Sequence, residues 1–121
     1  MIETILIDYL ENVQSLQDIP IVLEEPDPNP YPGGIRKFVR IQKTGSGRTN
    51  HLDRATVAFQ SYADTLLEAA QLNDIVKRAV FGIIQLDTVS RVELNSDYEY
   101  TREDTKQPRY QAVFDFVYYD D

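Results

Sequence analysis

The chain has no cysteine, a single histidine and far less positive than negative charge. Without thiols there are no disulfides, no thiolate metal sites and no cysteine nucleophile. Twelve Lys and Arg stand against 20 Asp and Glu, a net charge of −8. That sign works against attraction to DNA or to an anionic membrane surface through the field of the whole molecule. Long apolar runs are missing too: no window approaches the ~20 residues of a membrane span. The start, Met1-Ile2-Glu3-Thr4-Ile5, lacks a basic segment and carries acid inside its apolar run, so no cleaved signal peptide is expected and a cytoplasmic setting is.

Recognisable chemistry is equally sparse. His51 with Asp53 is the one local pair suited to metal binding or proton transfer, and two ligands without a third make a poor zinc site. Gly45-Ser46-Gly47-Arg48 lacks the Gly-Lys-Ser/Thr ending of a phosphate loop and does not open a helix, so it reads as a mobile hairpin tip. Ser61, Ser90 and Ser96 have no evident base, and the acid pairs Glu24-Glu25, Glu103-Asp104 and Asp120-Asp121 read as solvated charge. These patterns give no catalytic residue, metal ligand or cofactor site.

What is present is amphipathic patterning. At 121 residues the chain is long enough for one domain, residues 1–121, burying roughly two thirds of its unfolded surface. Ile2, Ile5, Leu6, Tyr9, Leu10, Val13 and Leu16 recur at helical spacing, which predicts a helix over residues 2–17, ended by Pro20. Ile21-Val22-Leu23 reads as a short strand. Glu25 to Gly34 holds four prolines and two glycines and reads as a stiff connecting loop.

Strands are expected over 35–43, with Val39 and Ile41 inward and Phe38 on the opposite face, and over 55–62, with a flexible loop at 44–50 between them. Thr65 and Glu68 have the spacing of a capping box, opening a helix that should run to Gln85 along Leu72, Ile75, Val76, Ala79, Val80, Ile83 and Ile84.

From Val92 onward two alternating strands follow. Val92, Leu94, Ser96, Tyr98 and Tyr100 are expected on one face of the first. In the second, Tyr110, Ala112, Phe114, Phe116 and Tyr118 should face inward. The order helix, strands, long helix, two strands predicts an α+β fold, a mostly antiparallel sheet of four to five strands packed against two helices.

Certain phrases carry a family resemblance. A Pro-rich loop leads to a strand ending in Lys43-Thr44-Gly45, then Ala55-Thr56-Val57-Ala58-Phe59-Gln60-Ser61-Tyr62-Ala63-Asp64 leads into an alanine-bearing helix. Val92-Glu93-Leu94-Asn95-Ser96-Asp97-Tyr98 and Pro108-Arg109-Tyr110-Gln111-Ala112-Val113-Phe114 form the ending. In this order the chain resembles, from Ile2 to Tyr118, the tail terminator and head-tail joining (tail-completion) proteins of long-tailed bacteriophages.

The resemblance implies a structural virion protein without catalytic residues or cofactors. Such a subunit forms a homo-oligomeric ring, commonly of six copies, on the head-proximal end of the tail tube. Its partners are the tube protein and the head-tail connector, and genomic DNA passes through without specific binding. A prophage origin and assembly in the host cytoplasm go with it. Strand edges and loops 26–34 and 44–50 are the expected contacts, with Arg40, Arg48, His51, Arg109, Tyr118 and Tyr119 as candidate interface residues on composition. A neighbouring neck or minor tail protein is the alternative within the resemblance. Outside it stands a small oligomeric enzyme or ligand-binding domain, favoured if several acids converge with His51 in a concave site.

Overall fold

The computed structural model describes residues 1–24, 36–101, 103 and 106–119; the expected proline loop, 25–34, lies outside them. The fold is α+β, a five-stranded, mostly antiparallel open sheet with two helices. Helix α1 (Ile2–Glu11) leads through a 3-10 turn (Gln14–Leu16) to β1 (Ile21–Val22). Strands β2 (Phe38–Thr49) and β3 (Leu52–Tyr62) form a hairpin. Helix α2 (Leu66–Phe81) and a second 3-10 turn (Gly82–Gln85) lead to β4 (Val89–Glu99) and β5 (Arg109–Tyr118). Spatial order is β1-β2-β3-β5-β4, antiparallel except for the short β1–β2 pair.

Both helices pack on one face of the sheet. Ile2, Leu6 and Leu10 of α1 and Leu72, Val76 and Val80 of α2 meet Val39, Ile41, Val57, Phe59, Ala112, Phe114, Phe116 and Tyr118 in one buried cluster. The alternation expected of β5 is therefore correct, and Phe114, fully buried, sits edge-on to Phe59 at 5.7 Å and to Phe81 at 5.1 Å. Phe38 lies on the other face, stacked on Tyr62 at 4.3 Å. Thr65 caps α2, its hydroxyl accepting from the Glu68 amide at 3.1 Å.

Four local expectations are corrected. The first helix stops at Glu11, six residues early, because side chains take over its last carbonyls. Asn12 Nδ2 donates to Asp8 O at 2.7 Å, and Gln17 Nε2 donates to Glu11 O at 3.0 Å, which frees the chain to turn and bury Leu16. The long helix becomes 3-10 from Gly82 to Gln85. A Cβ on Gly82 would come 2.6 Å from the Tyr9 hydroxyl of α1, so glycine permits that close helix contact.

The third correction concerns 44–50. Residues up to Thr49 continue β2, and Gly45 through Thr49 pair with Thr56 through Leu52. The turn is only Asn50-His51, with φ of 53° and 65°, the left-handed pair of a tight I′-type hairpin. Strand β3 accordingly begins at Leu52.

The fourth is β4, which starts at Val89 and does not alternate cleanly. Leu94 opposes Phe114 but Ser96 opposes Val113, so Asn95 is an extra, bulged residue. Beyond it the faces exchange: Asp97 turns to the helices, while Ser96 and Tyr98 share the opposite face with Val113 and Gln111. Ser90 in β4 and Thr44 in β2 are bulged likewise, and all three interruptions fall on these two strands, none between β3 and β5. Each bulged residue bonds the adjoining strand through its side chain. Thr44 donates to Thr56 O, Ser90 to Val117 O, and Asn95 to Asp115 Oδ2.

Candidate functional site

The face of the sheet away from the helices carries the chemistry. Pairing register places Gln42, Gln60, Gln111 and Tyr98 near one another across four strands. Gln60 Nε2 donates to Gln111 Oε1 at 2.8 Å and to Gln42 Oε1 at 3.3 Å, and Gln111 Nε2 donates to Tyr98 Oη at 2.6 Å. Gln60 and Gln111 are buried, and pairing is what makes a buried amide tolerable.

One rung further along, Arg109 donates from Nη1 to Tyr62 Oη at 2.8 Å and from Nε to Tyr100 O at 2.6 Å. Its guanidinium lies 4.3 Å from the centre of the Tyr100 ring, a cation–π contact that offsets part of the cost of burying the charge.

Toward the hairpin end this face is shallower and more exposed. Two rows cross it: Gly45, Thr56, Asp115 and Glu93, then Gly47, Arg54, Val117 and Arg91. They line an open trough of about 450 Å³. Asp115 accepts from Thr56 Oγ1 at 2.6 Å and is also bonded by Asn95, while Arg91 pairs with Glu93. The trough presents guanidinium and carboxylate groups beside bare backbone.

The helix-side surface has its own polar tie. Asp97 accepts from Asn73 Nδ2 at 2.7 Å and pairs with Lys77, fastening β4 to α2. The Asp97 hydrogen bond holds the Lys77 ammonium above its ordinary 10.5. At the end of β4 the Thr101 amide, donating at 2.9 Å, holds the exposed Glu99 carboxyl below the usual carboxylate value.

The six candidate interface residues fall into two groups. Arg48, His51, Tyr118 and Tyr119 gather at the hairpin end, where Asp53 pairs with Tyr118 across the sheet. Arg48 is exposed, 3.8 Å from Asp53, His51 stands in the turn, and Tyr119 is half exposed. Tyr118 is buried in the core. Arg40 and Arg109 lie toward the opposite end of the face. Arg40 is half-buried and donates to Leu23 O and Gln60 Oε1, both at 3.3 Å, and Arg109 is buried.

The glutamine row was not singled out by sequence reasoning; its only sign was amide side chains recurring on the outward positions of three strands. Among the described residues no three His, Asp or Glu side chains gather where they could hold a metal ion, and no helix is long and apolar enough to cross a membrane. Amides, phenols and paired charges on a sheet face are groups that orient and hold a surface. No protein-family model matches the chain, and no curated protein is detectably similar to it.

Proposed function

We propose that the chain is a structural subunit of a bacteriophage tail, a terminator that caps the head-proximal end of the tail tube as a ring, stops tube growth and offers the docking surface for the head connector. The observation that carries this reading is the one-sided architecture. Helices cover one face of the sheet, while strands β2 and β4 leave long outer edges with which, among the described residues, only the two-residue β1 pairs as a strand. Such edges suit a subunit whose neighbours complete it.

Three further features support it. The phrases that carry the resemblance to tail-completion proteins fall mainly on β2, β3, β4 and β5, the strands that build the sheet. The net charge of −8 disfavours adhesion of a passing DNA duplex. The buried Gln–Tyr–Arg network stiffens the sheet face, which suits a load-bearing joint.

The test is native mass spectrometry of the purified protein, alone and with polymerised tail tube. Rings, or binding to tube ends that stops further growth, are the expected result. A strict monomer that leaves the tube untouched refutes the proposal. Rings that bind the connector but ignore the tube would place the chain with the neighbouring neck proteins.

A further inference from the structure

Among the described residues little accounts for two glycines in β2, of which Gly45 directly follows the Thr44 bulge. Gly45 and Gly47 lie in a strand, where glycine forfeits side-chain packing and conformational entropy. Neither adopts the left-handed φ that would call for glycine, and a Cβ on Gly47 would meet nothing within 4 Å among the described residues. On Gly45 it would make only an ordinary 3.9 Å contact with Thr56. Glycine in a strand often marks a bulge or a place where another backbone approaches closely, and Gly47 has no bulge beside it.

The sheet supplies a match. β2 and β4 run in opposite directions, being separated by three antiparallel steps, so β4 of one copy set beside β2 of the next makes an antiparallel pair. The cross-sheet rows place Gly45 level with Glu93 and Gly47 level with Arg91. Joining two copies without stagger thus sets Gly45 opposite the neighbour's Glu93 and Gly47 opposite its Arg91, both in one antiparallel register. The bulges leave Gly45–Thr49 on β2 and Arg91–Leu94 on β4 as uninterrupted runs at this level.

Charge selects this pairing over its rivals. β2 carries Arg40, Lys43 and Arg48 with no acid, whereas β4 carries Glu93, Asp97 and Glu99 with only Arg91. Their partners within the chain, Glu3 and Asp53 on one side and Lys77 on the other, reduce the contrast without reversing it. β2 against β2 brings together strands that carry cations and no acid, whereas β4 against β4 can set only Arg91 against Glu93 and leaves Asp97 and Glu99 without a basic counterpart on the strand.

We infer that copies of this chain join head to tail through the β2 edge of one and the β4 edge of the next, with Arg91 and Glu93 of the neighbour lying over the bare backbone of Gly45 and Gly47. The contact is heterologous, so it closes into a ring if its rotation permits. This inference rests on the ring-forming function proposed above and specifies its junction.

The decisive variant is Gly47→Val. Inside one chain the added side chain has open space and favours a strand, so thermal stability is retained or raised. In the junction it occupies the place of Arg91, so rings are lost in native mass spectrometry, alone and on tail tube. A second test uses the cysteine-free background. Oxidised Gly47→Cys/Arg91→Cys should give a ladder of covalent multimers, while each single variant stays unlinked.

Rings of Gly47→Val as stable as wild type overturn the junction while leaving the terminator function standing. So do single-cysteine variants that dimerise with themselves, because like edges would then be meeting. A wild type that neither oligomerises nor engages the tube overturns both.

Discussion

Replacing Phe114 by alanine tests the core most directly. Its ring is fully buried and touches three others: Phe59 at 5.7 Å, Phe81 at 5.1 Å and Phe116 at 6.2 Å. Truncating a buried phenylalanine costs about 3–5 kcal/mol in transfer and cavity terms. Phe59 and Phe116 are held fully buried and cannot easily follow, but Phe81 is 45% exposed and can swing inward to fill part of the space. The expected loss is therefore nearer the lower end, about 3 kcal/mol, a large share of the roughly 5–15 kcal/mol that holds a domain together.

For a chain of this length that loss corresponds to a fall in Tm of roughly 10–15 °C. Urea unfolding followed by far-UV circular dichroism, supported by tyrosine fluorescence since there is no tryptophan, gives the number. The midpoint should move with the slope unchanged. A loss below about 1 kcal/mol would refute the assignment of Phe114 to the helix-facing side, since outward positions typically cost within about 0.5 kcal/mol.

His51→Gly should stabilise the protein by about 1 kcal/mol, because a histidine at φ 65° is in the left-handed region where glycine carries no penalty; a destabilised variant in thermal melts would contradict the two-residue turn. Gly82→Ala should destabilise the wild type but become neutral or stabilising, by up to about 1 kcal/mol, in a Tyr9→Phe background that lacks the clashing hydroxyl; equal effects in both backgrounds would show that the helices do not meet there. Lys77→Met removes the tie to Asp97. Because the folded-state value of Lys77 lies above 10.5, the advantage of wild type over this variant should be complete below pH 10.5 and vanish as pH rises through the folded value. A difference in urea midpoints independent of pH up to 12 would count against it.

The parts of the fold that were legible are those where burial enforces a period. β5 lies between two strands with one face under the helices, so slipping it by one residue would expose Phe114 and Phe116; its alternation was readable throughout. Among the described residues β4 has a neighbouring strand on one side only and tolerates an extra residue, and nothing in Leu94-Asn95-Ser96 announces a bulge. The faces of Asp97 and Tyr98 were therefore misread.

Gly45-Ser46-Gly47 resembled a loop because glycine and serine usually mark one. A ladder uses backbone groups, however, and at an exposed edge it needs no apolar side chain. The site was harder still. Gln60 meets partners 18 and 51 residues away, Gln42 and Gln111, and no local pattern encodes such a meeting. Of the candidate residues, Arg48 and His51 stand exposed at the hairpin, whereas the burial of Arg109 depends on Tyr62 and Tyr100 arriving from other strands.

The three bulges also set how the chain responds to changes in length. Thr44, Ser90 and Asn95 have no residue opposite them, so excising any one closes the ladder into regular pairing and leaves every neighbouring side chain on its present face. Elsewhere in these strands, losing one residue would turn the rest of the strand over. Small deletions are thus absorbed at three points on the outer strands and nowhere in β3 or β5. Each such deletion has a second effect, since a straightened outer strand is a better template for another chain. Shortening at Thr44, Ser90 or Asn95 should yield a protein that folds but associates too readily, so these three residues act as spacers that keep the margins of the sheet from indiscriminate growth.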